Sequence, residues 1–285
     1  RPMQRRHIAM IAGLLVAIAG AGTTLWWMYR GKVVPPPPVA QAPAPAPVEP
    51  APAPAAAPPA DAGPKHPIEP LAAASEPQPL PGLDDAEAVV REALASLAGR
   101  TAVMTFLQAD GFVRRVVVTV DNLARPMAAS RLWPVQPTPG KLQRIIAGDA
   151  ELISADNAAR YEPFVAFVAS VEPSRAAAVY RRFYPLFQQA YAELGYPKGH
   201  FNDRLVEVID HLLAAPEPAL PPAVKLVEVK GEVPSTRPWV RYEFTDEKLE
   251  SMSAGQKIMV RIGVNHERRL KGWLTGFRQA IVSPR

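Results

Sequence analysis

Asp203, Glu207 and His211 recur at four-residue spacing, with His200 just upstream. Residues four apart lie along one face of a helix, and carboxylate and imidazole groups so spaced can hold a divalent metal ion. No second ligand cluster is evident, so the stripe reads as a solvated face with Glu207 and His211 as a weak pair. Neither a metal nor any other cofactor is expected. Glu207, Asp210, Glu228 and Glu243 are candidates for a glycosidase-like carboxylate pair, whose geometry spacing does not fix. Ser251-Met252-Ser253 before Ala254-Gly255 is a loop with two serines and lacks the sharp glycine-flanked turn of a serine hydrolase. The chain has no glycine loop of the phosphate-cradling kind. With no cysteine, thiolate nucleophiles and zinc–thiolate sites are excluded.

A second set of polar residues sits inside otherwise apolar segments: Asn157, Arg160, Arg181, Arg204 and Asp210, with Tyr161, Tyr184, Tyr196 and His211 beside them. They are the candidate lining of a binding groove. The competing reading makes them packing and capping residues, since arginine and tyrosine bury their stems and expose their tips. Convergence in a cleft beside a carboxylate would favour catalysis; burial in mutual pairs would favour structure.

Positioning falls first to two helices between Ser174 and Ala214. In Ser174–Leu194, Val179, Phe183, Leu186, Ala190 and Leu194 form one apolar stripe and Tyr180, Tyr184, Phe187 and Tyr191 the next. Pro185 lies on the polar side, where a kink costs least. Gly195 is suited to the left-handed residue after a helix, Pro197 prevents continuation, and Asn202 can cap the second helix, which ends before Pro216. Upstream, a helix is expected from about Leu83 with Asp84 as its cap, then a short apolar element at Ala102–Leu107 and a helix over Phe112–Leu123. A hairpin around Gly148-Asp149 and a helix opening at Asp156-Asn157 follow. Downstream, Val224–Val229 and Val240–Phe244 read as antiparallel strands, and helix returns over Asp246–Met252 and Gln256–Ile281, interrupted near Gly263. The expected fold of 82–285 is α+β, a mostly helical soluble domain with two small β ribbons.

The chain of 285 residues carries 34 prolines, bunched before this domain. Ile8–Tyr29 is uncharged and long enough, at ~1.5 Å per residue, to cross the ~30 Å core of a bilayer as a transmembrane helix. Trp26, Trp27 and Tyr29 suit the headgroup level at its far end. A cleavable signal peptide is the rival, with small residues at Ala17–Gly22. Arg1, Arg5 and Arg6 against Arg30 and Lys32 place 1–7 in the cytoplasm and the remainder in the periplasm of a single-pass inner-membrane protein. Residues 30–81 are a Pro/Ala-rich disordered linker, and His66 inside it reads as incidental. The net charge of +5 is too diffuse for nucleic-acid binding.

Val120-Asp121-Asn122-Leu123, Tyr180-Arg181-Arg182-Phe183-Tyr184-Pro185-Leu186, Glu193-Leu194-Gly195-Tyr196-Pro197, Phe201-Asn202-Asp203-Arg204 and Asp210-His211-Leu212-Leu213 are the phrases that carry a family resemblance. They resemble domain-of-unknown-function family 3014, an uncharacterised proteobacterial family of membrane-anchored proteins. The resemblance implies an envelope protein and brings no catalytic or ligand residues with it. The expected role is a binding or scaffolding module, its partner an envelope protein or peptidoglycan; the alternative is a periplasmic enzyme such as a cell-wall or peptide hydrolase.

Overall fold

The structure is a computed structural model that describes residues 63–68, 80–227 and 241–282. The expected membrane helix at 8–29 and most of the expected linker lie outside those residues. Among the described residues no helix is long and apolar enough to cross a membrane.

Helix α1 (Glu87–Ala98) starts later than expected. Asp84 does not cap it, because Gly82–Asp85 closes a turn and the Asp84 carboxylate is drawn to Arg114, 2.9 Å away. Gly99, at φ 87°, turns the chain into α2 (Arg100–Phe106). Helix α3 (Phe112–Leu123) buries Val113, Val117 and Val120 on one face, so helical periodicity overrides its β-branched composition. Strands β1 (Arg144–Ala147) and β2 (Ala150–Ile153) flank Gly148, where φ is 62°. The helix expected from Asp156 is split into α4 (Asp156–Ala159) and α5 (Glu162–Ser170).

Helix α6 (Pro173–Glu193) runs through Pro185, which is exposed, so the lost backbone bond faces water. Its buried face centres on Tyr180, Phe183, Phe187 and Tyr191; Val179 is half-buried and Leu194 exposed, a turn of the stripe away from the expected centre. Helix α7 (Phe201–Leu213) buries Leu205, Val206, Val208, Ile209 and Leu212. With α1, α3 and α10 (Val264–Val282) these helices enclose the main core, which contains a cluster of rings: Phe187 stacks on Phe201, and Tyr180 meets Tyr184, Phe187, Phe201 and Phe277.

The two expected ribbons are one sheet. Strands β3 (Ala223–Leu226) and β4 (Tyr242–Phe244) pair antiparallel, and β3 also pairs with β2, giving the order β1-β2-β3-β4. A separate small core of Ile153, Val224, Tyr242 and Phe244 forms with Val260 of α9 (Ala254–Arg261). Between β4 and α9 lies the single turn α8 (Glu247–Glu250), capped by Asp246. Gly263, at φ 90°, separates α9 from α10 as the sequence predicts.

One part of the expected linker is placed. The backbone N–H groups of Lys65 and His66 donate to the two carboxylate oxygens of Asp203, at 3.0 and 2.7 Å, and Ile68 packs against the main core. Residues 63–68 of the expected linker thus lie against the domain through backbone contacts, in which the His66 ring takes no part. The His66 carbonyl accepts from the Asn202 side chain at 2.7 Å. Asn202 is therefore no cap: His200 holds that position, and Asn202 is fully buried in the first turn.

Candidate functional site

The hinge between α6 and α7 is built by a specific helix ending. Gly195 N–H bonds to Ala192 O at 3.1 Å and Tyr196 N–H to Tyr191 O at 3.3 Å, the paired reverse bonds that close a helix through a glycine of positive φ, here 119°. The apolar contact that accompanies such an ending is the stack of Tyr196 on Tyr191, with centroids 4.6 Å apart. Gln188 fastens the other side, donating to Gly199 O at 2.7 Å and accepting from Phe201 N at 2.9 Å.

This geometry carries the Tyr196 hydroxyl to Asp121, a buried carboxylate on α3. Tyr196 Oη donates to Asp121 Oδ2 at 3.3 Å and accepts from Arg125 Nη2 at 2.8 Å; Arg125 itself reaches Oδ2 at 2.6 Å. From α7, Arg204 donates to the Asp121 carbonyl at 3.0 Å. Its Nε, buried and without a hydrogen bond, lies 3.4 Å from Oδ1, an ionic contact only. Arg204 also reaches Glu207 at 3.1 Å, so the expected Glu207–His211 pair is replaced by an Arg204–Glu207 pair. Burial first, then the Asp121 charge, pushes the Tyr191 phenol up to about 12. A carboxylate 5% exposed beneath two guanidiniums and a phenol can hold three elements together. Its Oδ2 is taken by Arg125 and Tyr196.

The nine sequence-predicted residues do not converge. Asn157, fully buried, accepts from Gln143 N and from Arg160, and donates to Arg261 O at 3.1 Å. Arg160 extends across the Tyr161 ring and binds the Pro139 and Gly140 carbonyls, each at 3.1 Å, clamping the loop before β1. Arg181 donates to Ala280 O at the end of α10. Tyr184 donates to Gln188, and burial pushes its phenol up. Asp210 binds Arg278 of α10 through both oxygens, the Nη2 contact being 2.9 Å. Asn157, Arg160 and Tyr161 meet in one cluster and Tyr196 and Arg204 in another, and the centre of the second, Asp121 with Arg125, is what sequence reasoning missed. Its only signal was the phrase Val120-Asp121-Asn122-Leu123.

His211 Nε2 lies 2.8 Å from Ser253 Oγ, a nucleophile–base distance. Ser253 is 8% exposed and is the N-cap of α9, where it accepts from Gln256 N at 3.2 Å, while Gln256 returns to His211 O at 3.1 Å. Gly255 follows, so close to α7 and α3 that a Cβ there would stand 2.5 Å from Leu212 Cδ2. The pair serves to fix α9 on α7. Among the described residues no group of three or more His, Asp or Glu is placed to hold a metal.

Away from these networks, α1 and α6 leave an open groove of about 610 Å³, floored by Val89, Ala93 and Val179 and edged by Glu92, Arg175 and Arg182. The fold and its networks define a mostly helical α+β domain with a small antiparallel sheet, cross-braced by buried polar pairs. The family described as "Protein of unknown function (DUF3014)" matches residues 112–278, and the chain belongs to it. Helices α1 and α2 precede the matched span. No curated protein and no solved structure matches the chain.

Proposed function

We propose that 82–285 is a binding or scaffolding module of the cell envelope, carried into the periplasm by an inner-membrane helix at 8–29 and the Pro/Ala-rich tract after it. The observation that supports binding over catalysis is the fate of the candidate residues: each has a partner within the chain, and they are spread over separate contacts in place of one cleft. A domain of this kind acts through its surface, and a tether on the order of 100 Å or more long at ~3.1 Å per residue suits reaching an envelope protein or peptidoglycan. Crosslinking in intact cells, followed by identification of what is captured, tests it. The expected product is an envelope protein or a wall fragment joined to the domain. Capture of neither, with turnover of peptidoglycan or peptide by the purified protein, overturns it.

A periplasmic hydrolase is the second reading, favoured by the Ser253–His211 contact alone. It requires that Ser253→Ala abolish turnover while leaving the fold intact. The compartment is tested by a reporter fused after Arg285 that is active only in the cytoplasm; activity there would sink the periplasmic assignment.

A further inference from the structure

The start of α7 holds a peptide. Asp203 accepts two consecutive backbone N–H groups, one on each oxygen, and the neighbouring Asn202 donates to the carbonyl that follows them. No side chain of Lys65 or His66 takes part in these three bonds, so the pair reads main chain. The site is also prepared in advance: Asn202 is fully buried, and its Oδ1 accepts from the Tyr180 hydroxyl at 3.1 Å, which fixes the amide with its nitrogen outward. Tyr180 in turn is packed among rings, and burial holds its phenol well above the ordinary tyrosine value, keeping the proton it donates.

The bound segment has the chemistry such a site selects. The segment bends at Lys65 and His66, and the bend turns two consecutive N–H groups toward one carboxylate. Pro64 and Pro67 flank the two donors, and neither proline has an N–H that docking would strand. Ile68 supplies the apolar anchor against the main core.

We infer that Asn202 and Asp203 form a binding site for the backbone of a bent, proline-flanked peptide, and that this chain's own Pro64-Lys65-His66-Pro67-Ile68 is its resident ligand. The site clips the proline-rich tract to the domain at the start of α7, so the tether leaves from that point and not from α1. It stands independently of the binding-module reading, since it concerns contacts within one chain.

Hydrogen exchange on the full chain reads the clip directly. The Lys65 and His66 amides exchange at least about tenfold more slowly in the native protein than in Asp203→Ala, the loss expected for charge-assisted hydrogen bonds. Ile68→Asp, which leaves Asp203 in place and removes the anchor, gives the same loss. A labelled peptide of residues 61–69 then binds the vacated site of Ile68→Asp and fails to bind Asp203→Ala. Equal exchange in the native and Asp203→Ala proteins overturns the inference, as does peptide binding that ignores Asp203. Protection that grows with protein concentration alongside a doubled mass would assign the segment to a neighbouring copy and overturn residence within one chain.

Discussion

The two ends of α6 meet their neighbours by opposite means. Toward its C-terminus the helix runs into the hinge, where Tyr191 stacks on Tyr196 and polar groups from α3, the hinge and α7 meet at Asp121. In its first half it faces α1 across an open groove whose floor is small and apolar, and the rim charges Arg175 and Arg182 are exposed. A buried carboxylate is costly unless paired, and once paired it fixes the geometry of every element that reaches it. An apolar groove fixes nothing and can be altered without leaving a charge stranded. The Asp121 side of the C-terminal end, the closed end, therefore holds the fold, and the groove side of the first half, the open end, is surface.

The largest expected effect comes from emptying the closed end. Asp121→Ala leaves Arg204 half-buried and Tyr196 without its acceptor, a loss of about 3 kcal/mol. For a domain of this size that lowers Tm by roughly 6–12 °C. A loss below about 1 kcal/mol in denaturant unfolding would mean that Asp121 braces nothing and would erase the contrast. Gly255→Ala tests the same end by shape. The added Cβ would stand 2.5 Å from Leu212 Cδ2 and 2.8 Å from Leu123 O, and the backbone oxygen has little room to give. The expected cost is about 2 kcal/mol, and an unchanged midpoint would show that α9 does not pack as tightly as described.

The contrast was half legible in the sequence. Periodicity located α3, α6 and α7, and Gly195-Tyr196-Pro197 announced the hinge, because glycine and proline constrain the backbone locally. Local signals do not say which charge is buried. Asp121 is one acidic residue in a helix of mixed composition, and only Tyr196 and Arg204, 75 and 83 positions away, make it a centre. Asn202 illustrates the same limit: its position beside a helix start fits a cap, but the buried hydroxyl of Tyr180 and the carbonyl of His66 claim it instead. The sequence signals two ribbons where there is one sheet, because the β2–β3 pairing spans α4 through α7 in sequence and hairpin signals stop at the nearest turn.

A smaller effect sharpens the electrostatic side of the closed end. Burial and the Asp121 charge raise the Tyr191 phenol from the ordinary value of 10.0 to about 12. The folded state thus favours the neutral phenol, and the stability this contributes is complete below pH 10 and is lost as pH rises through about 12. Tyr191→Phe has no phenol to ionise, so its stability falls less steeply across that window. Tyr180 and Tyr184 are raised by burial too, so some alkaline loss persists. Identical slopes of denaturant midpoint against pH for the native and Phe proteins would remove Tyr191 from the titration.

The smallest expected effect belongs to the open end. Ala178 lines the groove between Arg175 and Arg182 on the same helix, three residues after one and four before the other. Ala178→Glu replaces one good helix former with another and sets a carboxylate at both favourable spacings, so the gain of a few tenths of a kcal/mol offsets the small propensity loss. Stability should stay within about 0.5 kcal/mol of native, in contrast to Asp121→Ala on α3. A loss above about 2 kcal/mol would mean that apolar side chains close this groove in the folded protein, and the distinction between the two ends would fail. The same variant divides the outcomes of crosslinking in cells: capture that drops while stability holds locates the partner's contact in the groove, and capture that persists locates it on another face.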